Sequence, residues 1–86
     1  MNQLNLQKRL LKLTDAMMEK YGEFAGKPSE PALIITVSND LTWSAEIYSY
    51  ILDFEDGGRH HFFSEDTYDK LISVLDAAIT REEGKL

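Results

Sequence analysis

Two adjacent histidines and six acids give residues 53–70 the richest chemistry in the sequence. The acids are Asp53, Glu55, Asp56, Glu65, Asp66 and Asp69. Imidazole and carboxylate groups can ligate a metal ion or act as general acid and base. Neighbouring residues of a strand point to opposite faces, so His60 and His61 cannot bind one ion while their strand is regular. One histidine beside one carboxylate supplies two ligands at most, which predicts no metal site and no bound cofactor.

Two glycines predict the hairpin that presents these side chains, because glycine accepts the positive φ of tight turns. A two-residue turn at Gly57-Gly58 places Glu55 opposite His60. Moving the turn back by one residue places Asp53 there instead. In either register His61 faces an apolar residue, and we expect it to be half-buried in the sheet.

The residue patterns that usually accompany catalysis are missing from the sequence. The serines have no glycine-flanked elbow, and the glycine pair lies between two strands instead of between a strand and a helix. The chain has no cysteine, which removes thiol nucleophiles, thiolate metal sites and disulfides. We therefore predict no catalytic residue and a protein that is not an enzyme.

Hydrophobic periodicity predicts one α+β domain over residues 1–86, in the order α-β-β-β-α. The expected elements are a helix over about 4–24, strands over about 32–38, 43–54 and 59–63, a helix over about 65–81 and a short tail at 82–86. Asn39-Asp40 marks the first turn, and Ser64 is the expected N-cap of the second helix. The strands should form an antiparallel meander with both helices on one face.

The first helix carries a wide apolar stripe at helical spacing, formed by Leu6, Leu10, Leu13, Met17, Tyr21 and Phe24. Leu4, Leu11 and Met18 form a second row along its edge. Charged residues interrupt this segment every few positions, so it resembles neither a signal peptide nor a membrane span. We expect a cytoplasmic protein with no membrane association.

The same order of elements is found in the double-stranded-RNA-binding domain, and in this respect the chain resembles that family. There the second helix opens with lysines that bind phosphates. The matching stretch here, "SEDTYDK", has three acids and one lysine. Such a stretch repels phosphate, so we expect no direct binding to nucleic acid.

The second predicted strand is apolar on both faces, whereas a sheet with one solvated face should alternate. If the helices cover Trp43, Ala45 and Ile47, the other face exposes a row of larger residues. That row is Tyr48, Tyr50, Leu52 and Phe54, joined by Phe63 if the turn lies at Asp56-Gly57. An exposed patch of this kind usually marks an interface. The alternative is an inverted choice of face, or a bulge near Ser49 that turns the tyrosines inward.

The net charge of −6 favours a basic protein partner. In size, charge and lack of cysteine the chain is similar to small phage-encoded inhibitors, anti-CRISPR proteins among them. That similarity implies a mimic of nucleic acid that inhibits a nucleic-acid-handling protein. The predicted contact residues are Glu46, Tyr48, Tyr50, Asp53, Phe54, Glu55, Asp56, Glu65, Asp66 and Asp69.

Two other interpretations stay open. The chain could form a structural homodimer through the exposed sheet face or through the row of Leu4, Leu11 and Met18. It could also be a small hydrolytic or metal-dependent enzyme that uses His60. Light scattering separates the homodimer from a binding module, and zinc titration of a His60→Ala variant tests the enzyme.

Overall fold

The computed structural model describes residues 2–21, 32–48 and 60–86, which form a single small α+β domain. In chain order its elements are helix α1 (Gln3–Tyr21), strands β1 (Ala32–Val37), β2 (Trp43–Tyr48) and β3 (His60–Glu65), and helix α2 (Tyr68–Glu83). The order α-β-β-β-α and the three-stranded antiparallel sheet, with β2 in the centre, are as the sequence predicts.

The pairing of β2 with β3 differs from both predicted registers. His60 lies opposite Tyr48, and His61 lies opposite Ile47, whereas Glu55 or Asp53 was expected opposite His60. The predicted turn at Gly57-Gly58 itself lies outside the described residues. The shift also changes which face each β3 side chain occupies, because side chains alternate along a strand.

Helix α1 spans Gln3–Tyr21, and its predicted end near residue 24 lies outside the described residues. The Oδ1 of Asn2 accepts a hydrogen bond from the backbone N–H of Asn5 at 2.9 Å, which satisfies one of the free amides at the start of the helix. The predicted stripe is buried at Leu6, Leu10, Leu13 and Met17. The side chain of Tyr21 and all of Phe24 lie outside the described part of the chain.

Helix α2 begins later than the sequence predicts. Its N-cap is Thr67, whose Oγ1 accepts from the backbone N–H of Lys70 at 3.2 Å. Ser64, the predicted cap, belongs to β3 and lies opposite Ser44. The strand continues through this position because its ladder with β2 extends to Glu65. The buried stripe of α2 comprises Leu71, Ile72, Leu75, Ala78, Ile79 and Glu82.

Both helices pack with one face of the sheet into a common core. Ala45 and Ile47 of the central strand are fully buried there, and His61 beside Ile47 is also buried. Phe63 is partly buried on this same face, so the expectation that it joins the exposed row is wrong. Its position follows from the observed register, in which it lies opposite Ala45.

One arginine connects the two helices at the surface. Arg9 of α1 forms ion pairs with Asp76 and with Glu83, the latter at 2.6 Å, and donates to Thr80 Oγ1 at 2.9 Å. The hydrogen bonds that Arg9 donates to Glu83 and Asp76 raise the pKa of its guanidinium above the usual value. The contacts hold the helices side by side at half-exposed positions, where each pair contributes modestly.

The turn between β1 and β2 contains a strained residue. Leu41 has φ of 66°, in the left-handed region that disfavours residues with a Cβ, and its side chain is 72% exposed. We expect Leu41→Gly to raise the free energy of unfolding by about 0.5–1 kcal/mol, after the greater freedom of glycine in the unfolded chain is subtracted. Urea denaturation measures the change. Leu41→Ala is the control, because alanine keeps the strain; an equal gain from alanine would contradict the explanation.

Candidate protein-binding surface

The sheet has a second face that neither helix covers. We call it the open sheet face and define it by the described side chains that point away from the helices: Ile34, Thr36, Ser44, Glu46, Tyr48, Phe62 and Ser64. Strand alternation creates it, since Leu33, Ile35, Ala45, Ile47, His61 and Phe63 point toward the core. The prediction that Tyr48 lies on a face opposite Ala45 and Ile47 agrees with this arrangement.

Three large apolar side chains surround one acid on the open sheet face. Ile34 on β1 and Phe62 on β3 both lie opposite Glu46 on β2, so these residues form one row across the sheet. Tyr48 is the next residue of β2 on the same face. The exposed fractions are 43% for Ile34, 44% for Tyr48 and 58% for Phe62. Adjacent strands are separated by about 4.8 Å, so the side chains form a continuous patch with a carboxylate at its centre.

A second group of acids lies where β3 ends and α2 begins. Glu65 ends the strand, Asp66 follows it, and Asp69 is in the first turn of the helix. Lys70 forms an ion pair with Asp66 at 3.1 Å, and this contact lowers the pKa of the exposed Asp66 carboxyl. The three acids outnumber the one lysine, so the region keeps a negative potential, which the positive end of the helix dipole partly offsets.

A shallow, open cleft adjoins these acids. It has a volume of about 350 Å3 and is lined by Glu65, Asp69, Lys70, Ser73 and Val74. Four of these residues belong to α2, and Glu65 belongs to the end of β3. The cleft therefore runs from the end of the strand onto the outer side of the helix.

The sheet separates the two groups of predicted contact residues. Glu65 lies opposite Trp43, whose ring contacts Tyr68 of α2 at a centroid distance of 5.1 Å, so Glu65 points to the helix side. Glu46 and Tyr48 point to the open sheet face. The acids that the structure describes are therefore divided between the two faces of the sheet and do not form a single flat array.

Half of the predicted contact residues lie outside the part of the chain that the structure describes. These are Tyr50, Asp53, Phe54, Glu55 and Asp56. The other half, Glu46, Tyr48, Glu65, Asp66 and Asp69, all lie at the surface or are half-buried.

Two prominent members of the open sheet face were not among the predicted contact residues. Ile34 was not predicted to lie beside the tyrosines, because the pattern of one strand says little about which residues of its neighbour lie opposite. Phe62 depends on the β2–β3 register. The useful signal was the adjacent pair of phenylalanines: one of them must point away from the core in any regular strand.

The described residues show little that resembles a catalytic or metal centre. His61 is buried in the core beside Ile47, and the side chain of His60 lies outside the described part. Within residues 2–21, 32–48 and 60–86, no three histidine or acidic side chains converge as metal ligands, and neither helix is long and apolar enough to cross a membrane. Compared with known proteins, the chain matches no family model, no curated protein and no solved structure.

Proposed function

We propose that the protein is a non-enzymatic binding module whose open sheet face contacts a basic protein. The observation that carries the proposal is the row of Ile34, Glu46 and Phe62 with Tyr48 beside it. Aromatic side chains supply a large contact area at small entropic cost, and buried aromatic anchors dominate the energy of many interfaces. A central carboxylate adds selectivity for a lysine or arginine on the partner.

The charge of the chain supports a basic partner. The net charge is −6, and twelve of the fifteen acids lie in residues 28–86. A protein of this charge is attracted to surfaces that normally bind nucleic acid, and attraction of this kind raises the association rate at low salt. We therefore propose that the module inhibits a nucleic-acid-handling protein in the cytoplasm, as small phage-type inhibitors do.

A photoreactive phenylalanine analogue tests the proposal. The benzophenone amino acid is introduced at Phe62 and, as the control, at Lys12, which is exposed on α1. We expect the variant at position 62 to form a covalent complex with a basic protein from the source cell, and the variant at position 12 to form none.

The captured protein is then purified for binding measurements. Phe62→Ser should weaken binding about 30-fold, as loss of an aromatic anchor does, and Leu11→Ser should not weaken it. The association rate should fall as salt is raised from 50 to 500 mM. An acidic partner, or equal binding by Phe62→Ser and the unmodified protein, would contradict the proposal.

A homodimer is the second candidate, and one observation favours it. Leu4 and Leu11 of α1 are both exposed and lie seven residues apart, hence on the same side of the helix. Sedimentation equilibrium at 1–100 μM distinguishes the two functions. A dimer that becomes a monomer on Leu11→Gln supports assembly, whereas a monomer throughout this range supports the binding module.

A further inference from the structure

The two outer edges of the sheet differ, and hydrogen bonds on β1 show how. The backbone N–H of Ser38, just after β1, points toward β2 and donates to the backbone oxygen of Thr42 at 3.0 Å. The backbone N–H of Leu33 points the other way and donates to Gln7 Oε1 on α1 at 3.1 Å. In an antiparallel pair, residues alternate between facing the partner strand and facing away. The even-numbered residues of β1 therefore face β2, and Leu33, Ile35 and Val37 turn their backbone groups outward.

The register carries this alternation across the sheet. Ser44 and Glu46 lie opposite Thr36 and Ile34, so the even-numbered residues of β2 face β1. The odd-numbered residues of β2 then face β3, where they pair with His61, Phe63 and Glu65. It follows that Phe62 and Ser64 direct their backbone N–H and C=O groups away from the sheet, along the outer edge of β3.

No described strand pairs with the outer edge of β3, whereas the edge of β1 is partly closed. Gln7 occupies the outward amide of Leu33. Within the described residues, no hydrogen bond is made by the outward backbone groups of Phe62 or Ser64. Both residues are exposed. An edge strand of this kind is a template for one more strand, and proteins usually block such edges unless they use them.

Side chains of an added strand would reach two different surfaces. Residues of such a strand alternate between the two faces of the sheet, like those of β3. On one face they would lie beside Phe62. On the helix side they would extend toward the cleft lined by Glu65, Asp69, Lys70, Ser73 and Val74. Because Asp66 neutralises Lys70 through their ion pair, the charge left in the cleft is negative.

We propose that the outer edge of β3 binds an extended segment of the partner as a fourth strand, in which lysine or arginine alternates with apolar residues. The apolar side chains contact Phe62, and the basic side chains enter the acidic cleft. Main-chain hydrogen bonds to Phe62 and Ser64 fix the position of the segment, and the alternating side chains select its sequence. This inference rests on the proposed function and specifies how the basic partner is recognised.

The test uses an acetylated, amidated eight-residue peptide in which lysine alternates with valine. It is titrated into the full 15N-labelled chain, and amide shifts and hydrogen exchange are recorded by NMR. We expect the largest shifts at Phe62 and Ser64, together with slower exchange of the amides on this edge. A peptide with glutamate in place of lysine should bind at least 10-fold more weakly, since its charge opposes the cleft.

Two N-methylated peptides separate strand addition from attraction by charge. One carries methyl groups on the lysine nitrogens of the backbone, and the other carries them on the valine nitrogens. Their charges are equal, but only one set of amides faces β3 in an added strand, because N–H direction alternates along the chain. One isomer should therefore lose at least 10-fold in affinity, and the other should bind like the parent peptide.

A matched pair of proline variants tests whether the outward backbone N–H groups of β3 bind the peptide. Ser64→Pro removes an outward N–H on β3 without removing a bond of the sheet itself, and Val37→Pro does the same on the outer edge of β1. Ser64→Pro should weaken peptide binding about 10-fold, whereas Val37→Pro should leave it unchanged. Circular dichroism confirms that each variant is folded before it is titrated.

Three results would overturn the fourth strand. The first is equal affinity of the two methylated isomers. The second is the absence of shifts at Phe62 and Ser64 with both lysine-valine and arginine-valine peptides. The third is a concentration-dependent shift of these amides without peptide, which would assign the edge to a second copy of the chain. None of them decides whether a basic partner contacts the open sheet face. Photocrosslinking from position 62 answers that question separately.

Discussion

Ile47→Ala is expected to lower the free energy of unfolding by about 3 kcal/mol. Ile47 is fully buried on the central strand, between Leu33 and His61, and packs in the core shared by both helices. Truncation of a buried isoleucine removes its transfer free energy and leaves a cavity, which together cost about 2–5 kcal/mol. A domain of this length has a total stability on the order of 5–10 kcal/mol, so a large part of it would be lost.

Urea denaturation followed by circular dichroism measures this change. Ile34→Ala is the matched control, since Ile34 is also an isoleucine of the sheet but lies on the open sheet face. Its truncation should cost less than about 1 kcal/mol, because Ile34 is 43% exposed and lies outside the core. Equal losses for the two variants would show that the open sheet face is covered in solution, for example by a second copy.

Glu82→Met is expected to raise the free energy of unfolding by about 1–3 kcal/mol. Glu82 is 2% exposed on the buried stripe of α2, near the helix end where a negative charge is unfavourable. Its Oε2 lies 2.5 Å from Nζ of Lys85, and no hydrogen bond to its Oε1 is present among the described residues. Replacing a buried charge by an apolar side chain of similar size often stabilises a protein by this amount.

The neighbouring residue supplies the control for this prediction. Glu83 is half-exposed and forms an ion pair with Arg9 at 2.6 Å. Glu83→Met removes that contact and should lower the stability by about 1 kcal/mol. The same substitution at two adjacent positions is thus expected to change the free energy of unfolding in opposite directions. A loss of stability from Glu82→Met would indicate that the ion pair with Lys85 outweighs the cost of burying the Glu82 carboxylate, which would contradict the explanation by desolvation.

The elements of this fold could be predicted because each carries a strong local pattern. Leu6, Leu10 and Leu13 repeat at helical spacing and are buried, as expected. Burial alternates along the end of the central strand, where Ala45 and Ile47 face the core. Local periodicity reports on one element at a time, and for these elements the tertiary structure did not override it.

The pairing of β2 with β3 could not be predicted in the same way. A glycine pair is a strong local signal for a short turn, but register is decided by the burial of whole faces. In the observed register His61 lies opposite Ile47, so Phe63 faces the core and Phe62 faces away from it. That choice also decided the start of α2, since a strand that continues to Glu65 moves the cap from Ser64 to Thr67.

The hydrogen bond from Leu33 to Gln7 has a consequence for assembly at high concentration. Linear polymers of β-sheet need two free edges on every subunit, one to receive a neighbour and one to be received. Here a glutamine of α1 occupies one outward amide of β1, which hinders a neighbour from pairing along that edge. Once a partner strand has paired with β3, no further strand is added at that edge. The expected product is a closed one-to-one complex in place of a fibre.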